Sequence, residues 1–141
     1  MTRLRRIPLL RDDRGAAMVE FAMVAPFLFA LAFGIIDFGR AYYIYSALNS
    51  IAHDGARYGA ALSSPDIASI KTHIQNTIVP QYLGALPASQ QPAAAGAQIS
   101  DTVTSSKVVV TITGYKFSPW LPIVAPQTMT IGASATFRRE W

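Results

Sequence analysis

The sequence predicts an α+β chain: a long N-terminal helix, apolar through its first half and amphipathic through its second, then a small domain with one further helix and an antiparallel sheet of about three strands. Three observations carry this reading. Ala16 to Ile36 is an apolar run with Glu20 as its one charge. Apolar and small residues then recur at helical steps of three and four as far as Leu62. Three segments rich in β-branched residues fill the last third of the chain.

At a helical rise of 1.5 Å per residue, the run from Ala16 to Ile36 spans roughly 30 Å, the thickness of one hydrocarbon core. Before it stand Arg3, Arg5, Arg6, Arg11 and Arg14 against Asp12 and Asp13, so most of the +4 net charge sits in the leader. Positive charge ahead of an apolar segment marks the cytoplasmic flank, which predicts a single-pass protein with its C-terminal domain outside the cytoplasm. Ala30-Leu31-Ala32 also fits a signal-peptidase cut. The apolar run continues past it through Phe33, Ile35 and Ile36, however, and a charge interrupts the supposed signal core, so an anchor is expected.

Beyond Asp37 the line Phe38, Tyr42, Tyr45, Leu48, Ala52, Gly55, Gly59 and Leu62 predicts the packed face of a helix, with Ser46, Asn49, Ser50, His53, Asp54 and Arg57 on its wet side. Asp37 with Arg40, and Asp54 with Arg57, stand at i,i+3, where exposed pairs add a few tenths of a kcal/mol. Ser63-Ser64-Pro65-Asp66 predicts a second helix start, with a serine cap and an acid near the positive end of the dipole. Ile67, Ile70, Ile74 and Ile78 form its apolar stripe, and Pro80 is expected to end it.

"PASQQPAAAGA", 87–97, reads as a surface loop. "QISDTV", 98–103, and "KVVVTITGY", 107–115, are expected to pair across a short Thr104-Ser105-Ser106 turn, and "TMTIGASATF", 128–137, places Met129, Ile131, Ala133, Ala135 and Phe137 on one face. "SPWLPIVAP", 118–126, is a loop because its prolines cannot donate to a ladder. Its Trp120, Leu121, Ile123 and Val124 either complete the core or meet a partner. The chain thus divides into a basic leader, 1–15; a spanning helix, 16–36; an amphipathic extension, 37–62; and an extracytoplasmic α+β domain, 63–141.

Chemistry is hard to find. There is no cysteine, which removes disulfides, thiolate catalysis and Cys-based zinc sites. His53 and His73 lie on different helices, and His53 and Asp54 diverge by about 100° around theirs, so neither pattern makes a metal site. No phosphate loop or nucleophile elbow appears, and no basic cluster interleaved with aromatics suits nucleic acid. No enzymatic activity, metal or cofactor is expected. Ala52, Gly55 and Gly59 line one side of the extension with GxxxG spacing, which favours close helix packing against either the domain's own elements or another subunit.

Glu20 is the residue that needs a reason, since a carboxylate within a bilayer costs a few kcal/mol and usually has a partner or a route to the headgroups. Arg14-Gly15-Ala16-Ala17-Met18-Val19-Glu20-Phe21 looks like the cleavage region of a prepilin, a basic leader ending in glycine with glutamate five residues further on. With "DFGR" (37–40), "ALNSIAHDGARYGA" (47–60) and "SATFRRE" (134–140), the chain resembles the TadE-like pseudopilins of the tight-adherence (Tad/Flp) pilus apparatus.

That resemblance implies removal of the leader by a prepilin peptidase between Gly15 and Ala16. It also implies that Glu20, followed by Phe21, meets the N-terminal amine of a neighbouring subunit, so that two buried charges compensate each other. Phe21 stands where major pilins of this system carry tyrosine, and the globular region exceeds those short pilins; both point to a minor pseudopilin. The implied partners are the peptidase, other pilin-like subunits, inner-membrane Tad assembly proteins and the bilayer. Two other functions stay open on the residues alone: a single-pass anchored binding or scaffold protein, and an exported enzyme released by signal peptidase.

Overall fold

The computed structural model of the chain describes residues 13–87, 90–92, 98–104, 106–120 and 128–139. The leader before Asp13, most of the 87–97 loop, Ser105 and the 121–126 part of the proline-rich loop lie outside the described residues. Helix α1, Asp13–Ala61, runs unbroken for 49 residues. At the standard rise it is roughly 75 Å long. Pro26 lies inside it, where the missing N–H leaves the carbonyl one turn earlier without its helical donor.

A second helical run follows a short bend. Helix α2, Ile67–His73, passes into a π-helical turn, Ile74–Ile78, and then into α3, Val79–Leu83. The cap is Asp66 rather than a serine: its carboxylate accepts the Ser69 N–H at 3.2 Å. A carboxylate here satisfies an orphan amide and also complements the helix dipole. Nor does Pro80 end the run. The π turn shifts the hydrogen-bond register just before it, with the Val79 N–H bonded to the Ile74 carbonyl, so Pro80 falls in the first turn of α3. There a proline nitrogen has no donor role to lose.

Strands β1 (Gln98–Thr104), β2 (Lys107–Phe117) and β3 (Met129–Arg138) form an antiparallel sheet in the order β1-β2-β3 among the described residues. Val103 faces Val108, Val110 faces Ala135, and Val108 faces Phe137. The inward set on β2 is Val108, Val110 and Ile112, and after a break in register it becomes Tyr115 and Phe117. Gly114, with φ at 77°, supplies that break. The extra residue moves the inward set from even to odd positions and returns two aromatics to the core.

One core joins all of this. Ile44, Leu48, Ile51 and Ala52 of α1 meet Ile70, Ile74, Ile78 and Leu83 of the second run, and the inward face of β2 closes over them. Each fully buried Ile or Leu contributes about 1.5 to 3 kcal/mol relative to exposure. The packed face of α1 is rotated from the expected line. Phe38, Tyr42 and Tyr45 are exposed, while Ile44, Ala47, Ile51 and Ala56 are buried beside Leu48 and Ala52. Small and aliphatic residues let the sheet approach the helix closely, whereas three aromatic rings on that line would hold it away.

Candidate functional site

Two different environments divide α1. From Gly15 to Ile36 nearly every side chain is exposed, Met18 to 76%, and the stretch is long and apolar enough to cross a membrane. Gly15, Ala16, Glu20 and Phe21 all lie on this uncovered part, each exposed. Among the described residues, nothing outside the adjoining helix comes within 4 Å of where a side chain on Gly15 would begin. Ala16 and Glu20, four residues apart, share one face of the helix. The surface is therefore an apolar rod carrying one carboxylate, left uncovered by the described residues of its own chain.

Above it, Asp37 marks the change. It is only 7% exposed. Its Oδ1 accepts from Nη1 of Arg40 at 2.9 Å, and its Oδ2 accepts the backbone N–H of Trp120 at 2.8 Å. The Arg40 guanidinium stands 4.6 Å from the Trp120 ring centre and 5.2 Å from that of Phe117. Spacing along the sequence suggests a surface ion pair here; the fold makes it the joint between helix and domain. Asp54 behaves in a similar way. Its hydrogen bond comes from the Tyr82 hydroxyl at 2.6 Å, so α3 competes for a carboxylate that spacing alone assigns to Arg57.

The small-residue line Ala52, Gly55 and Gly59 is covered by the chain itself. A side chain on Gly55 would begin 2.6 Å from Cδ1 of Ile74, and one on Gly59 would begin 2.7 Å from Cδ1 of Ile70 and 3.0 Å from Cγ1 of Val108. Helix and sheet both come in over these glycines, which holds the upper part of α1 rigid relative to the domain. Arg139 fastens the far end of the helix, its Nη2 donating to the carbonyls of Leu62 and Ser63 at 3.2 Å each. A cation at this point satisfies terminal carbonyls and complements the negative end of the helix dipole.

Both histidines meet aromatic rings. His73 stacks on Tyr58 with ring centres 3.8 Å apart, and His53 meets the edge of Phe137 at 6.2 Å. Among the described residues no cluster of His, Asp and Glu is grouped to hold a metal. An open groove of about 440 Å³ lies along the wet side of α1, between Tyr42, Tyr45, Asn49, His53, Asp54 and Tyr82. Hydrogen bonding to Asp54, with a smaller effect of burial, raises the Tyr82 hydroxyl above its ordinary 10.0. Burial raises that of Tyr115, partly offset by the Arg40 charge. Both phenols are therefore firmly neutral donors.

Residues 15–57 match the model of the TadE-like protein family. The matched segment begins at Gly15 and covers the uncovered rod together with most of the packed extension, so the TadE-like part of this chain is its N-terminal helix. No curated protein and no solved structure matches the chain.

Proposed function

From the TadE-like character of residues 15–57, we propose that the protein is a minor pseudopilin: a single-pass structural subunit of a Tad/Flp-type pilus assembly or secretion apparatus, cut by a prepilin peptidase after Gly15 and assembled through the lower half of α1. The observation that carries this reading is the division of α1. An apolar rod with one exposed carboxylate continues without a break into a helix locked inside a folded domain. Such a subunit can stack through the rod while the domain stays outside the membrane. No reaction is assigned to the protein, which is instead the substrate of one.

Removal of the leader would place the new ammonium on Ala16, on the same helical face as Glu20. In a stack of like helices, each Glu20 can then meet the amine of a neighbour. Pairing makes both charges tolerable at a depth where either alone is costly.

The test is the N-terminal sequence of the membrane-extracted protein, produced with and without a prepilin peptidase. The expected start is Ala16 with the peptidase and the full leader without it, and Gly15→Leu should block the cut because a bulky residue does not fit at the scissile position. An intact leader in the presence of the peptidase overturns the proposal and favours a single-pass anchored binding or scaffold protein. A soluble product starting near Phe33 favours an exported protein freed by signal peptidase.

A further inference from the structure

The joint at Asp37 has a second partner besides the helix it stabilises. Asp37 is the first charged residue past the apolar rod, and its carboxylate fixes the backbone of Trp120 at 2.8 Å, across 83 residues of chain. A group bonded at this level lies within about one helical turn of the place where α1 leaves the hydrocarbon. Yet the Trp120 side chain remains 63% exposed, even with the Arg40 guanidinium over its ring. Phe38, the next residue on the helix, is 74% exposed, and Met129, opposite Phe117 at the start of β3, is 53% exposed. Large apolar side chains are therefore exposed near the level where the rod ends and the domain begins.

Two cations lie near the joint. Arg40, packed on Phe117, lines a pocket of about 280 Å³ with Tyr115 and Ser118, and Lys116, exposed between the inward Tyr115 and Phe117, is at its edge. An indole is apolar in its body and donates through one N–H, which is why such rings settle at the boundary between hydrocarbon and headgroups. Lysine and arginine at that depth meet lipid phosphate. Water alone suits this combination poorly, and a packed core would have covered the ring.

We propose that Trp120, with the Arg40 and Lys116 pocket beside it, is a docking collar for the outer-leaflet surface: the indole lies among the headgroups and the exposed Lys116 faces lipid phosphate, the Arg40 charge being matched by Asp37. The occupant is the lipid of the bilayer that α1 crosses, so the proposal rests on the reading of α1 as the spanning helix. The domain is then held at a set height and orientation on the membrane by two contacts, the rod and the collar.

The experiment uses the full chain carrying Trp141→Phe, which leaves Trp120 as its one indole, reconstituted at low protein density into vesicles of phosphatidylcholine and phosphatidylglycerol. Flotation after a carbonate wash comes first. Among floating protein, nitroxide on the headgroup should quench Trp120 about twofold more than nitroxide deep in the acyl chain, with weak quenching by aqueous iodide. Asp37→Ala should lower headgroup quenching and raise iodide quenching of Trp120 with the domain still folded by circular dichroism, and Lys116→Gln should reduce headgroup quenching in anionic vesicles only.

Protein that floats while Trp120 is quenched by iodide and not by headgroup nitroxide overturns the collar and leaves the spanning helix standing. Iodide protection that appears only as protein density rises, at fixed lipid composition, shows that a second copy covers the ring and likewise overturns it. Protein that fails to float overturns both the spanning helix and the collar.

Discussion

A side chain on Gly59 would begin 2.7 Å from Cδ1 of Ile70 and 3.0 Å from Cγ1 of Val108, so the second helix and the sheet close on α1 at a single residue. Ile70 and Val108 are both fully buried, which leaves neither an easy direction to move.

Gly59→Ala should therefore be destabilising. Overpacking costs about 1 to 3 kcal/mol, and roughly 1 kcal/mol returns as helix propensity, so a net loss of up to about 2 kcal/mol is expected, toward the upper end because both neighbours are buried. Adding Ile70→Val removes the closest methyl and should recover part of it, a non-additivity visible in urea unfolding of the full chain in detergent. Gly39→Ala is the control, because among the described residues nothing outside the adjoining helix lies within 4 Å of where its side chain would begin. If Gly59→Ala and Gly39→Ala unfold alike, the close approach is not real.

Alkaline pH should weaken the fold. The hydroxyl of Tyr82 donates to Asp54, and that of Tyr115 donates to the Gln90 carbonyl at 2.6 Å. Both groups titrate above 10.0 in the folded chain, so above that pH the native state holds more protons than the unfolded state. Stability is then fully present below pH 10.0 and falls as pH rises through the folded values. Unfolding midpoints measured from about pH 9 to 11 should show this decline. The double variant Tyr82→Phe/Tyr115→Phe should have a shallower decline, and an unchanged slope would assign the effect to other groups.

Glu20→Ala should insert into the membrane and still be cut after Gly15, because losing a charge favours partitioning. Assembly is where it should fail. The Ala16 ammonium would have no counter-charge at bilayer depth, and breaking one side of a buried pair costs about 3 to 5 kcal/mol. Glu20→Asp should stay near wild type and Glu20→Gln should fall between. Cross-linking to partner pilins, scored with processing on one blot, measures both steps; normal co-assembly of processed Glu20→Ala would mean that the carboxylate merely reaches the headgroups.

A reporter enzyme fused after Trp141 should be active outside the cytoplasm, and carbonate should leave the protein in the membrane. This expectation follows from the arginines ahead of Ala16. Replacing Arg3, Arg5, Arg6 and Arg11 by uncharged residues should therefore lower the reporter signal, and an unchanged signal would mean that orientation is set elsewhere.

By itself the sequence determined what depends on period and composition. The apolar rod, its continuation as a helix, the three strands and the TadE-like character of the N-terminal segment were all legible there. These features are local, written in successive residues, and a bilayer or a pleat reads them without help from distant parts of the chain.

Only the tertiary structure decided which partners those residues take. Spacing assigned Asp54 to Arg57, but the chain brings Tyr82 to it. Helical steps placed Phe38, Tyr42 and Tyr45 in the core, but a sheet seated against alanine and glycine left them exposed. Asp37 looked like half of a surface pair until the start of a loop far along the chain supplied a backbone donor. In each case the deciding group comes from a separate element, and the choice is made by shape and by the need of a buried polar atom for a partner, neither of which is written in the spacing of neighbouring residues.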